Sequence, residues 1–138
     1  TIMLYSVARD AGNRSKIAVY TEYTNVDPIG AVIGEKGRRI ANVLKELSGE
    51  KIDVILYDKD PVKFIANALS PAKDVKVSIK DETKKEALAL VNDKNLSLAI
   101  GKKGQNVKLA SRLTHYKIEV KPEEQENTET TEETSVEE

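Results

Sequence analysis

The sequence predicts an α+β protein made of two similar units, each with a three-stranded sheet and packed helices. Two observations lead to this fold class. The segment 29–37, which ends in Gly-x-x-Gly, recurs in similar form 67 positions later as 96–104. Two strand-like runs precede each copy, and a third follows it. The duplication therefore predicts the order strand, strand, helix, glycine loop, helix, strand in each unit.

The strands are predicted from runs in which apolar and polar residues alternate. Six runs qualify, three in each copy: 2–7, 16–20 and 51–54, then 75–79, 88–91 and 117–120. The charged residues Arg9 and Asp10 end the first of them. The last strands of the two copies are 66 positions apart, whereas the glycine loops are 67 apart. The helix between loop and strand is therefore predicted to be about one residue shorter in the second copy.

The helices are predicted from capping residues and helical spacing. Asp27-Pro28 and Asp60-Pro61 each place a capping carboxylate before a proline at the first helical position. Gly49 suits the left-handed residue that closes a helix, and Pro71 ends the helix that starts at Pro61. This connecting helix is short with one apolar face, so we expect it to pack against one or both units and to hold them as a fairly rigid pair.

The charges are segregated along the chain, although the net charge is −1. Of the 23 acidic residues, eight lie in the segment 123–138, which has no lysine or arginine. Residues 1–122 therefore keep 15 acidic against 22 basic residues. The glutamate-rich tail has too few apolar residues to fold, so disorder is expected there. The predicted domains are 1–70 with the connecting helix, 71–122, and the tail 123–138.

Several classes of protein are disfavoured by composition. The chain has no cysteine and a single histidine, His115, so thiolate and His-pair metal sites are excluded. No apolar run approaches the roughly 18 residues of a membrane span, and no signal-peptide pattern opens the chain, which predicts a cytoplasmic protein. We expect no cofactor, no metal, no membrane contact, and a monomer.

An enzyme is the first alternative class. The carboxylates Asp53, Asp58 and Asp60 are close in sequence and could together hold Mg²⁺. However, Asp53 lies in a predicted strand, and Asp60 is better explained as a helix cap. The Walker spacing of nucleotide-binding loops is absent as well. No catalytic residue is predicted.

The glycine loops carry the predicted chemistry. Glycine permits the sharp turn between two helices, and the loop ends at a helix N-terminus, where unpaired N–H groups favour a phosphate. Lysine stands at the loop tip in both copies, although Glu35 makes the first loop less basic than the second. The predicted RNA-binding residues are Ile33, Gly34, Glu35, Lys36, Gly37, Arg38 and Arg39 in the first copy, and Ile100, Gly101, Lys102, Lys103, Gly104, Gln105, Asn106 and Lys108 in the second.

The aliphatic residues around the loops have two possible roles. They either form the core or line an apolar groove in which unstacked bases lie; the candidates are Ile29, Val32, Ile33, Val43, Leu96, Ile100 and Val107. Core is the better interpretation for any single one of them. Aromatic residues are scarce, so stacking on aromatic side chains is not expected to dominate.

These features together resemble the KH domain, whose Gly-x-x-Gly loop clamps about four nucleotides of backbone. The strand order is similar to the type II arrangement, so the resemblance implies two tandem type II KH domains. More closely, the chain resembles the tandem KH region of the NusA family of bacterial transcription factors, over about 14–122. The runs that carry this resemblance are 14–19, 27–31, 49–53, 67–72 and, most specifically, 96–110.

The resemblance implies a ligand and partners that the residues alone do not. The ligand is single-stranded RNA, as nascent transcript, and the partners are RNA polymerase and other transcription factors. In that family an N-terminal domain and an S1 domain precede the KH pair, so the chain is expected to be a fragment of a longer protein. One alternative function stays open, a protein-interaction module that does not bind RNA. The role of the acidic tail is also open, because it could mimic RNA or simply aid solubility.

Overall fold

The computed structural model describes residues 2–22, 27, 30 and 51–123. The helices predicted around the first glycine loop and the tail from residue 124 onward lie outside these residues. The described elements are β1 (Met3–Asp10), β2 (Arg14–Tyr20), β3 (Lys51–Leu56), α1 (Pro61–Ala68), β4 (Lys76–Asp81), β5 (Glu86–Val91), α2 (Asp93–Ile100), a 3₁₀ turn (Lys102–Gly104), α3 (Gln105–Thr114) and β6 (Lys117–Pro122).

The six strands form two three-stranded sheets of identical topology. In the first sheet β2 lies between an antiparallel β1 and a parallel β3, and in the second β5 lies between β4 and β6 in the same way. Ile17 is paired with Val54, and Ala89 with Val120, so β2–β3 and β5–β6 pair in the same parallel way. The predicted fold class, two tandem α+β units with three-stranded sheets, is confirmed.

The first strand is longer than the alternation predicted. Arg9 and Asp10 belong to the strand, because they pair with Ser15 and Arg14 across a tight turn. Polar residues can continue a hairpin when their backbone groups complete the ladder of hydrogen bonds. The predicted run 2–7 is therefore three residues too short at its end, and the strand stops at Asp10.

One hydrophobic core joins the two units. Ala18 and Ile55 on one face of the first sheet share a cluster with Ile65 of α1 and with Leu109 and Leu113 of α3. Ile65 and Leu113 are wholly buried, and burial of a side chain of this size contributes about 1.5–3 kcal/mol. The opposite face of the first sheet has a separate cluster around Ile17 and Val19. The helices of the second unit thus cover one face of the first sheet.

Helix α1 forms and packs as its sequence predicts. The Asp60 carboxylate accepts a hydrogen bond from the Val62 amide at 3.0 Å, and Pro61 occupies the first turn. Its buried face, Phe64, Ile65 and Ala68, contacts elements on both sides of it, β3, β4 and α3. None of the helices described here is long and apolar enough to cross a membrane.

Candidate nucleic-acid interface

The second glycine loop joins α2 to α3 in four residues. Gly101, with φ of 79° and ψ of 168°, ends α2, and its amide donates to Ser97 O at 2.8 Å. Gly104, with φ of 76°, stands before α3, and its amide donates back to Gly101 O at 3.0 Å. Lys103 between them has a φ of 57°, which is left-handed for a residue with a side chain. The loop is thus a tight turn that presents its tip to solvent.

The two glycines are required for different reasons. A Cβ on Gly101 would lie 2.6 Å from the backbone nitrogen of Asn106, closer than packed atoms approach. A Cβ on Gly104 would meet only Lys108 Cε, at 3.8 Å, so its requirement comes from the left-handed backbone alone. Gly101 therefore allows α3 to begin directly against the end of α2.

The loop and the first turn of α3 carry three exposed lysines. Lys102, Lys103 and Lys108 are exposed, and the ion pairs found among the described residues include none of them. Gly104 provides no side-chain cap for α3, and its first turn has no acidic residue. By contrast, Asp60 caps α1 and Asn92 caps α2. The start of α3 thus keeps its helix-dipole charge available to an anion.

Asn106, the second residue of α3, points inward. It is 1% exposed, and its amide nitrogen donates to Leu69 O and to Ala99 O, both at 3.0 Å. Its Oδ1 accepts from Arg14 Nη1 at 3.2 Å. The side chain therefore fastens the start of α3 to the end of α2, to the turn after α1 and to strand β2.

A polar network continues from Arg14 into the first unit. Lys16 is wholly buried, and its ammonium donates to Asp53 Oδ2 at 2.9 Å and to Ser70 O at 2.7 Å. Arg14 Nη1 lies 3.5 Å from the same Asp53 oxygen. Burial lowers the pKa of Lys16 below its usual value of 10.5, although the Asp53 carboxylate opposes this effect. The network joins β2 and β3 to the turn that follows α1.

The hairpin turn between β1 and β2 lies beside the glycine loop. Asp10 Oδ2 accepts from Gln105 Nε2 at 2.7 Å and from Asn13 Nδ2 at 3.3 Å. Between the turn and the loop is a cavity of about 370 Å³, which is lined by Asp10, Asn13, Lys102, Lys103, Gln105 and Lys108. The two units therefore meet in one polar cleft at the base of the loop.

The apolar residues near the second loop fall into two groups. Leu96 and Val107 pack against buried clusters, so they belong to the core. Ile100 is half-buried, and Leu98 of α2 is 45% exposed. The aromatic side chains Tyr5, Tyr57 and Phe64 pack on one another and line a cavity with His115 after the end of α3. The partly exposed apolar side chains that precede the loop, Leu98 and Ile100, are thus aliphatic.

The predicted site residues are only partly described. Ile33, Gly34, Glu35, Lys36, Gly37, Arg38 and Arg39 lie outside the described residues. In the second copy the structure brings together Lys102, Lys103, Gln105 and Lys108 at one cleft and buries the side chain of Asn106. The sequence interpretation missed Asp10, Asn13 and Leu98. The helical spacing of Asn106 with Leu109, Ala110 and Leu113 is the signal that would have placed Asn106 on the buried face.

A metal site is not formed by the described part of the chain. No group of three or more histidine, aspartate or glutamate side chains there is close enough to hold a metal ion. Asp53, the predicted strand carboxylate, is used by Lys16, and Asp60 is used as the cap of α1.

Comparison with known families matches both halves of the chain. Residues 1–57 match the NusA-like first KH domain, and residues 61–128 match the NusA-like second KH domain. The second match begins at Pro61, so it includes α1, which the sequence interpretation assigned to the first unit. The division at residue 70 stays a prediction, since α1 contacts both units.

Two bacterial relatives and one solved structure extend this match. The chain is 53% identical over 123 residues to the transcription termination/antitermination protein NusA of Halalkalibacterium halodurans, covering 89% of the chain and 32% of the relative. It is 54% identical over 121 residues to the protein of that name from Mycobacterium tuberculosis, covering 88% and 35%. The chain thus spans about a third of their length. The crystal structure of APE1850 is similar with a TM-score of 0.60 and 25% identity, over 88% of this chain and 87% of that one.

Proposed function

The chain belongs to the NusA-like KH family, with its two KH domains in tandem, and on this premise we propose that it binds single-stranded RNA through its glycine loops. The observation that carries the proposal is the second loop. Exposed Lys102 and Lys103 stand at its tip, directly before the uncapped N-terminus of α3. Lysines and helix N–H groups together bind a phosphate, and neighbouring aliphatic surface suits an unstacked base.

The identities of the RNA and of the protein partners extend this proposal. The curated relatives are named as transcription termination/antitermination proteins, and this chain matches about a third of their length. We infer that the chain is the RNA-binding part of such a factor and that its RNA is nascent transcript. RNA polymerase and other transcription factors are then partners of the longer protein.

The contribution of the second loop can be tested by charge reversal. We expect Lys102→Glu with Lys103→Glu to weaken binding of an unstructured RNA by at least tenfold, because two phosphate contacts are lost and repulsion replaces them. The slope of log K against log salt should also become shallower, by about 1.4 if each lysine neutralises one phosphate of the single strand. Fluorescence anisotropy across a series of salt concentrations measures both quantities.

A matched control changes the same charge elsewhere. Lys80 and Lys84 are exposed on the β4–β5 hairpin, near the opposite end of α3, since Lys117 N donates to Lys85 O there. The ten residues of α3 span about 15 Å, so this pair lies outside the proposed site. If Lys80→Glu with Lys84→Glu weakens RNA binding as much as the loop variant does, the loop lysines contribute only to the net charge of the protein. Unchanged binding in the loop variant would favour a protein-interaction module.

A further inference from the structure

We propose that the cleft between the β1–β2 turn and the second glycine loop is a nucleotide subsite that selects a base with an exocyclic amino group. The inference rests on the proposed RNA binding and adds a base preference to it. Its cavity of about 370 Å³ lies within the range of small-ligand sites, about 300–1,000 Å³. A single nucleotide of an extended strand fits such a space, whereas a duplex does not.

The lining of the cleft divides into two kinds of group. Lys102, Lys103 and Lys108 supply positive charge that suits the phosphate of the nucleotide. Asp10 and Asn13 of the first unit, with Gln105 of the second, supply hydrogen-bonding groups that suit a base edge. Phosphate contacts carry no information about sequence, so any base preference of the cleft comes from this second set.

Asp10 determines which bases the cleft prefers. An ionised carboxylate only accepts hydrogen bonds, and it repels phosphate, so in a cleft that receives RNA it must face the donors of a base. A carboxylate has about four acceptor sites, and the two amide donors from Gln105 and Asn13 leave capacity for a ligand. The exocyclic amino groups of adenine, cytosine and guanine are such donors, and the first two are used in the test below. Uracil has a carbonyl oxygen at that position and is therefore disfavoured.

The cleft depends on contacts between the units. Gln105 of the second unit donates a hydrogen bond to Asp10 of the first at 2.7 Å. Arg14 of the first unit donates one to Asn106, the next residue of α3, at 3.2 Å. Because these two bonds join β1 and β2 to the first turn of α3, the turn stays beside the loop. Neither unit alone contains both the phosphate-binding lysines and the carboxylate.

The test compares three hexanucleotides, oligo(A), oligo(C) and oligo(U), by fluorescence anisotropy at one salt concentration. Wild-type protein should bind oligo(A) and oligo(C) about tenfold more tightly than oligo(U). Asp10→Asn removes one negative charge and so strengthens binding of all three, but its amide can also donate to a carbonyl. The ratio between oligo(A) and oligo(U) should therefore fall towards one. Glu82→Gln, which removes an exposed carboxylate from the β4–β5 turn, should leave the ratio unchanged.

Each outcome decides one of the two proposals. If wild-type protein binds all three oligonucleotides and Asp10→Asn leaves the ratio unaltered, the subsite is refuted while RNA binding stands. If wild-type protein binds none of them, the proposed function fails and the subsite fails with it. Should Asp10→Asn disturb the fold, Gln105→Ala removes the donor that orients Asp10 without altering β1. That variant should lower the same ratio by a smaller factor, and an unchanged ratio would again refute the subsite.

Discussion

Replacement of Asn106 by alanine tests how the second glycine loop is held in place. The side chain donates hydrogen bonds to two backbone carbonyls, Leu69 O and Ala99 O, and its Oδ1 accepts one from Arg14. At 1% exposure it is shielded from bulk water in the folded state. Leu69 O keeps the Ala72 amide as a donor at 3.0 Å, whereas Ala99 O loses the donor from the Asn106 side chain. A buried polar group that loses its partner costs about 1–3 kcal/mol, so the free energy of unfolding should fall by about that amount. That loss is a large part of the 5–15 kcal/mol of an ordinary domain.

Urea unfolding followed by circular dichroism measures this loss. A double-mutant cycle with Arg14→Ala isolates the Arg14–Asn106 bond, which should give a coupling energy of about 0.5–1.5 kcal/mol. RNA affinity should also fall, because the loop loses its anchor, but the salt slope should stay that of wild type, since no phosphate contact is removed. A stability loss below about 0.5 kcal/mol, or a salt slope lowered by about one, would refute the structural role of Asn106.

Two further predictions concern Lys16 and the loop glycines. Burial lowers the pKa of Lys16 in the folded state. Between this lowered pKa and 10.5, the unfolded chain therefore binds more protons than the folded chain. The contribution of Lys16 to the free energy of unfolding thus rises with pH across that window. Urea unfolding at several alkaline pH values should therefore show wild type gaining stability relative to Lys16→Met, and a constant difference would contradict the shift. Gly101→Ala should destabilise the fold more than Gly104→Ala, because its Cβ meets Asn106 backbone at 2.6 Å. Equal melting temperatures for the two variants would contradict the packing argument.

The repeated pattern of the sequence was sufficient to predict the fold. Alternation located all six described strands, and Asp60-Pro61 located the start of α1, because these signals are local. Strand ends were less accurate. The second strand begins at Arg14, two residues before its apolar run, because Arg14 and Ser15 pair with Lys51 and Ile52, and Arg14 also donates to Asn106 of the second unit. Polar residues buried between units carry no local signal of burial.

The candidate site was predicted only where it is contiguous in sequence. The second glycine loop and its lysines were found because the repeat marks them. Asp10 and Asn13 were missed because they lie about ninety residues from Gln105, and only packing of the units brings them to the cleft. Asn106 was predicted to contact RNA because the sequence after a glycine loop does not distinguish a polar residue that faces solvent from one that faces the core. The first loop, Gly34 to Gly37, stays a prediction.

Backbone amide chemical shifts, followed during titration with a short single-stranded RNA, show whether RNA binds at the glycine loops. Binding should shift the amides of Gly101, Lys102, Lys103 and Gly104 most strongly, with Asn13 of the adjoining turn among the next largest. The amides of Gly34 and Gly37 should shift as well if one strand crosses both units. Shifts confined to other surfaces, such as the aromatic group around Tyr5 and Tyr57, would contradict RNA binding at the loops.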